Sequence, residues 1–165
     1  MNEYIKLKKR NVVRIGIKDE DGNIKYDKDG HEVFIEFDLE DINLVDNYSK
    51  AISLCEKAGK SLQNELIIIN KKEDVKINEY LTRNQKSKMD ALKKYYKSIE
   101  DAMNLFLGEG GFSKIFDEKR YLTMLDDLAD MLEPIIPLLK VNIDSIKNKI
   151  VTKYKVTDEN VLKDE

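Results

Sequence analysis

The chain has one histidine, one cysteine, two prolines and no tryptophan among its 165 residues. The lone cysteine, Cys55, closes no internal disulfide and builds no cysteine-rich zinc site. In a lysine-rich chain it fits a reducing cytoplasm. His31, beside Glu32 at the mouth of a hairpin, supports neither a Ser-His-Asp nor a metal triad and reads as an exposed turn residue. Long apolar runs are missing too: Leu66 to Ile69 is typical of the longest, far short of a bilayer span. The opening MNEYIKLKKR has no apolar stretch behind it, so no secretory leader is expected. Neither charge sign dominates. Lys plus Arg total 29 and Asp plus Glu 32, a net charge of −3, which excludes a whole-chain basic field for nucleic acid.

What is present points to a soluble, helix-rich protein with long solvated faces. Apolar residues make up 41% and charged residues 37%, the latter well above the usual quarter. A chain of this length is expected to form one compact domain and to bury roughly 70% of its unfolded surface. Abundant Lys, Asn, Ile, Asp and Glu with little Arg fit an AT-rich bacterial or viral genome.

Residues 1–38 read as a β-rich head. Val13, Ile15 and Ile17 alternate with Arg14 and Gly16, and Val33, Ile35 and Phe37 with Phe34, Glu36 and Asp38; period two means one half-buried face per strand. Asp21-Gly22-Asn23 and Asp29-Gly30 supply hairpin turns, which makes a three-stranded meander the natural reading, with a short middle piece at Ile24-Lys25-Tyr26. Residues 39–154 read as a helical body. Ile42, Val45, Tyr48, Ile52 and Cys55 recur at helical spacing, with Asp38 or Asp41 as cap and Gly59 as terminator. Residues 60–74 are ambiguous, and helix resuming after Gly59 is favoured. The clearest element covers 75–107, where Met89, Leu92, Tyr96, Ile99, Met103 and Phe106 are spaced 3, 4, 3, 4, 3. That seam fits an amphipathic helix packed on its neighbours or an intermolecular coiled coil. Gly108-Glu109-Gly110-Gly111 breaks the helix and is read as a hinge. Tyr121, Leu125, Leu128, Leu132 and Ile135 mark another helix, interrupted by Pro134 and Pro137, and a last helix is predicted from about residue 141. Residues 155–165 read as a flexible tail. The fold class is therefore α+β: an N-terminal antiparallel hairpin or meander packed on a mainly α-helical body, with helix exceeding strand at least twofold.

Candidate chemistry is sparse. An EF-hand aligned on Gly30 places Lys25 where the first carboxylate belongs, and one aligned on Gly22 places Ile17 there. Counting a Walker loop from Gly108 puts Ser113 where its second glycine belongs. Asp126, Asp130 and Glu133 share a helix face with Asp127 nearby, read as the solvated side of that helix. Cys55 lies on an apolar face, as a structural thiol does. Lys86 to Lys97, with Tyr95 and Tyr96 interleaved, is the only stretch suited to nucleic acid, and Tyr96 belongs to the apolar seam. Residues 60–100 carry ten basic and six acidic side chains; residues 101–139 carry three basic and eight acidic. Such a dipole either pairs within the monomer or orients association. No catalytic, cofactor or metal residue is assigned, and no enzyme activity is expected.

The stretch Ile99–Phe116, IEDAMNLFLGEGGFSKIF, followed by a helix ending MLEPIIPLL, resembles the small tail assembly chaperones of long-tailed bacteriophages and prophages of Gram-positive hosts. Gly108, Glu109, Gly110, Lys114, Ile115 and Phe116 match the pattern of that family. Gly111 stands where Thr or Ser is common, and Asp117 where Gly is common. The resemblance implies a non-enzymatic protein of the bacterial host cytoplasm that forms homo-oligomers. It would coat the tape-measure protein and recruit tail-tube subunits, with no cofactor and no membrane or nucleic-acid partner. The interaction residues expected on this basis are the six seam residues together with Gly108, Glu109, Gly110, Lys114, Ile115 and Phe116. The alternatives are a structural tail component or adaptor, and a nucleic-acid-binding regulator.

Overall fold

Alternation becomes pairing at the N-terminal end. In the computed structural model, which describes residues 2–154, strands β1 (Val12–Gly16) and β2 (Phe34–Asp38) form an antiparallel two-stranded sheet. The register sets Val13 opposite Phe37 and Ile15 opposite Ile35, while Arg14 faces Glu36 and donates to its Oε1 at 2.6 Å. Val33, Ile35, Phe37 and Leu39 are buried, so one face of the hairpin is apolar throughout. The expected middle strand is reduced to two isolated bridges, Lys18 with Ile24 and Tyr26 with Glu32.

Two copies of one turn take up the segment between the strands. Asp19 and Asp27 each accept, on Oδ1, the amides two and four residues on, at 2.8–3.0 Å. The glycine three residues on, Gly22 or Gly30, has φ of +80° and donates to the same aspartate's carbonyl. This is a type I turn closed by a left-handed glycine, which is why D-x-D-G occurs at both places.

Five helices follow: α1 (Leu44–Asn70), α2 (Arg83–Leu107), α3 (Gly111–Phe116), α4 (Met124–Leu132) and α5 (Ile136–Tyr154). Helix far exceeds strand, and the α+β class holds. Several boundaries differ from those read in the sequence. Gly59 does not end a helix: α1 runs through it for 27 residues. A mid-helix glycine costs about 1 kcal/mol relative to alanine, less than the apolar face on both sides of it contributes. Helix α2 starts at Arg83, not near 75, because Thr82 and Gln85 make a reciprocal capping box. The connection before it is ordered by Arg83 N to Val75 O, Asn84 N to Asp74 Oδ1 and Asn84 Nδ2 to Lys72 O. Helix α5 begins at 136 rather than 141. A single 3-10 turn, Glu133–Ile135, carries Pro134, and Pro137 falls in the first turn of α5, where its missing N–H is not needed.

The fold divides into two compact units, a different partition from a head at 1–38 and a body at 39–154. One unit contains the residues up to Asp46 and those from Leu122 on; the other is Asn47–Tyr121. In the first, the head packs on α5. Asn142 is 1% exposed and its Nδ2 donates to the carbonyls of Leu39 and Asp41 at 2.9 and 3.0 Å, while Lys149 pairs with Glu40. The buried side chains of the second unit include Ala51, Ile69, Ala91, Tyr96, Ile99, Ala102, Met103, Phe106, Phe112 and Ile115. The tail read at 155–165 lies outside the described residues.

Candidate partner-binding surfaces

The heptad seam of α2 is mostly an internal packing face. Tyr96, Ile99, Met103 and Phe106 are buried, Leu92 is half-buried and only Met89 is exposed. Phe106 meets Tyr48 of α1 edge-to-face at 5.2 Å, and the Tyr96 hydroxyl donates to the Tyr121 carbonyl at 2.8 Å. The 3-4 spacing identified the apolar face correctly. What lies against it is largely this chain itself.

The glycine segment is a folded corner. Gly108 (φ 89°, ψ 166°) occupies backbone space essentially closed to other residues, and Gly110 is left-handed at φ 69°. A methyl group on Gly111 would lie 2.7 Å from Leu107 Cβ. The corner turns α3 back along α2, where Phe112 is 0% exposed and its amide donates to Asn104 Oδ1 at 2.9 Å. Arg120 closes it: Nη2 donates to Glu100 Oε2 at 2.9 Å, Nη1 donates to the Asp117 carbonyl, and the guanidinium lies 5.2 Å from the centre of the Phe112 ring. Alanine would meet an unfavourable left-handed φ at Gly110 and the Leu107 side chain at Gly111. Of the expected interaction residues here, Ile115 is buried, Phe116 stacks at 4.8 Å on Phe112, and Glu109 is exposed. Lys114 is exposed in the last turn of α3. Asp117, at the position where the resembling family has glycine, takes φ +58° and ψ −159°.

The other charged and polar candidates have local explanations. Lys86 pairs with Asp90 at 3.0 Å and Lys97 with Asp101 at 2.9 Å, so the basic stretch of α2 is partly neutralised along its own helix. Asp126 and Asp127 lie in the first turn of α4, where the helix dipole favours them. Among the described residues, Asp27, Asp29 and His31 are the only cluster with ligand atoms within reach of one ion, all three exposed. Asp27 already serves as the turn's acceptor. The His31 and Asp29 amides bonded to it hold its carboxyl below the usual range, and the twin turn makes the same bonds with Asn23 in place of His31. Burial, then the neighbouring Glu56 charge, push the half-buried Cys55 thiol up.

Uncovered apolar surface remains in both units. Leu54 and Leu105, with Ser49, Lys50 and Ser53, line an open groove of about 500 Å³. Ile67 and Ile68 are exposed on α1, and Tyr80 is 89% exposed beside Ile77 on the ordered connection before α2. Ile136, Ile143 and Ile150 are exposed on α5. Ile143 and Ile150 follow Ile136 at seven and fourteen residues. Nothing in the sequence marked Leu54 and Leu105 as neighbours. No helix among the described residues is long and apolar enough to cross a membrane. Comparison with family models, with curated proteins and with solved structures finds no match to this chain.

Proposed function

We propose that this protein is a non-enzymatic tail assembly chaperone of a phage or prophage. In this reading it self-associates and covers the tape-measure protein in the host cytoplasm until tail-tube subunits polymerise around it. The observation that supports it is the apolar surface left on helices of both units: the Leu54–Leu105 groove and the exposed isoleucines of α1 and α5. Long helical proteins expose apolar stripes before assembly, and helix faces of this kind cover such stripes. The resemblance over Ile99–Phe116 supplies the particular partner.

The test is co-expression with the longest tape-measure-like protein from the same source, followed by size exclusion with light scattering. The expected result is a soluble complex holding several copies of this chain per partner, where the partner alone precipitates. An insoluble partner with this chain eluting alone refutes the reading. Recovery of the chain in purified, finished particles would make it a structural tail component instead.

A further inference from the structure

We infer that the N-terminal arm, residues 2–11, docks on the outer face of α4 of a second copy of this chain. Both surfaces belong to the first unit. On α4, Met124 and Leu128 are buried, while Leu125, Ala129 and Leu132 lie about a quarter turn away, the leucines half-buried and the alanine exposed. Leu122, in the turn before α4, and Ile136, after the 3-10 turn, continue the 3-4 spacing and are 75% and 55% exposed. The helix thus has a second apolar row that the chain leaves partly uncovered. Asp126, Asp130 and Glu133 each follow a residue of that row and border it on the side away from the core. All three are exposed, and no ion pair among the described residues engages them.

The arm is the complement of that face. It lies outside any helix or strand, and Tyr4, Ile5 and Leu7 are 87%, 91% and 85% exposed. Lys6, Lys8 and Lys9 are exposed and have no ion-pair partner among the described residues, whereas Arg10 is tied to Asp38 at 3.8 Å. The Asn11 carbonyl accepts the Leu39 amide, which fixes the base of the arm beside the end of β2. Drawn out as a strand, Lys6 to Lys9 covers about 10 Å, the length from Asp126 to Glu133 at the helical rise. Ile5 and Leu7 then point away from Lys6 and Lys8, so an arm lying along the border meets the apolar row on one side and the carboxylates on the other. The chain's own arm and its own α4 face both stand uncovered, so the occupant is another copy's arm. Two α4 faces would oppose carboxylates and two arms would oppose lysines; only the unlike pairing attracts. Every copy carries one arm and one such face, so the contact is head-to-tail. This contact deepens the chaperone reading by giving self-association a surface, and it rests on that reading for the oligomer's role. Its test uses this chain alone, so the two fail separately.

The experiment is sedimentation of three full-length chains over a concentration series, with circular dichroism confirming that each is folded. The wild type should associate, with affinity falling as salt is raised. One variant, Lys6→Glu, Lys8→Glu, Lys9→Glu, reverses the arm; the other, Asp126→Lys, Asp130→Lys, Glu133→Lys, reverses the face. Either variant alone should associate at least about tenfold more weakly than the wild type. Mixed in equal amounts, the two should associate as the wild type does, because every arm then meets a face of opposite charge on the other variant. Loss of structure cannot produce that rescue, and an arm folded onto its own α4 cannot either. A wild type that stays monomeric at every concentration overturns the inference, as does a mixture whose folded variants stay apart. Wild-type association that neither variant weakens also overturns it, and leaves the chaperone reading standing.

Discussion

One substitution, glycine to alanine, should have opposite signs at two positions of this protein. Gly59 lies inside α1 with ordinary helical backbone, and a methyl group there meets nothing within 4 Å. Alanine is the better helix former by about 0.8–1.0 kcal/mol, partly because it narrows the unfolded ensemble. Gly59→Ala should therefore stabilise by about 0.5–1 kcal/mol, which for a chain of this size raises the melting temperature by about 1–4 °C. Gly111 opens α3 with its Cβ direction filled, since Leu107 Cβ would be 2.7 Å away. Leu107 Cβ is bonded to backbone at the end of α2, so relief requires moving the corner and not merely a side-chain tip. Gly111→Ala should cost about 1–3 kcal/mol. Urea unfolding followed by circular dichroism gives both values as midpoint shifts at constant slope. A destabilising Gly59→Ala would refute an uninterrupted α1, and a neutral Gly111→Ala would refute the tight corner.

Other expectations follow from single residues. Asp117 holds a backbone conformation that glycine adopts freely, so Asp117→Gly should stabilise by about 1 kcal/mol in the same urea assay, and a loss would refute strain there. Asn142→Ala removes one buried and one part-buried hydrogen bond linking α5 to the segment after β2, at a cost of about 2–3 kcal/mol; a shift below about 0.5 kcal/mol would contradict the assigned contacts. The Asn84 amide at the start of α2 lowers the Asp74 carboxyl from its ordinary 3.8. A depressed carboxylate stabilises fully above that value and ceases to as pH falls through it to the folded value. Wild-type melting should thus fall more steeply than that of Asp74→Asn on acidification, and parallel curves would refute the coupling. Burial raises the Cys55 thiol, so alkylation followed by mass spectrometry should be slow at neutral pH and accelerate in denaturant; equal rates would refute it.

The paired turns were legible because D-x-D-G states its own geometry: an aspartate that accepts two amides and a glycine that takes φ of +80°. The start of α2 was equally legible in Thr82 and Gln85, although the apolar residues Val75 and Ile77 drew the predicted helix back to 75. Gly59 misled because its local cost of about 1 kcal/mol is real but small beside the packing of a 27-residue helix. The exposed apolar surfaces were the least legible. The α2 seam has the stronger pattern yet is mostly internal, and the isoleucines of α5 have the weaker one yet face solvent.

The sequence by itself determined the period of most elements, the paired turns, the capping box of α2 and the lack of an apolar run long enough for a bilayer. These depend on residues within about four positions of one another, through side-chain direction and backbone conformation. Tertiary structure alone decided which apolar faces are used up inside the chain. It brought Tyr48 to Phe106, and the carbonyls of Leu39 and Asp41 to Asn142, across separations that no local pattern encodes. Periodicity says that a helix has an apolar side; only the packed chain shows whether that side is already covered.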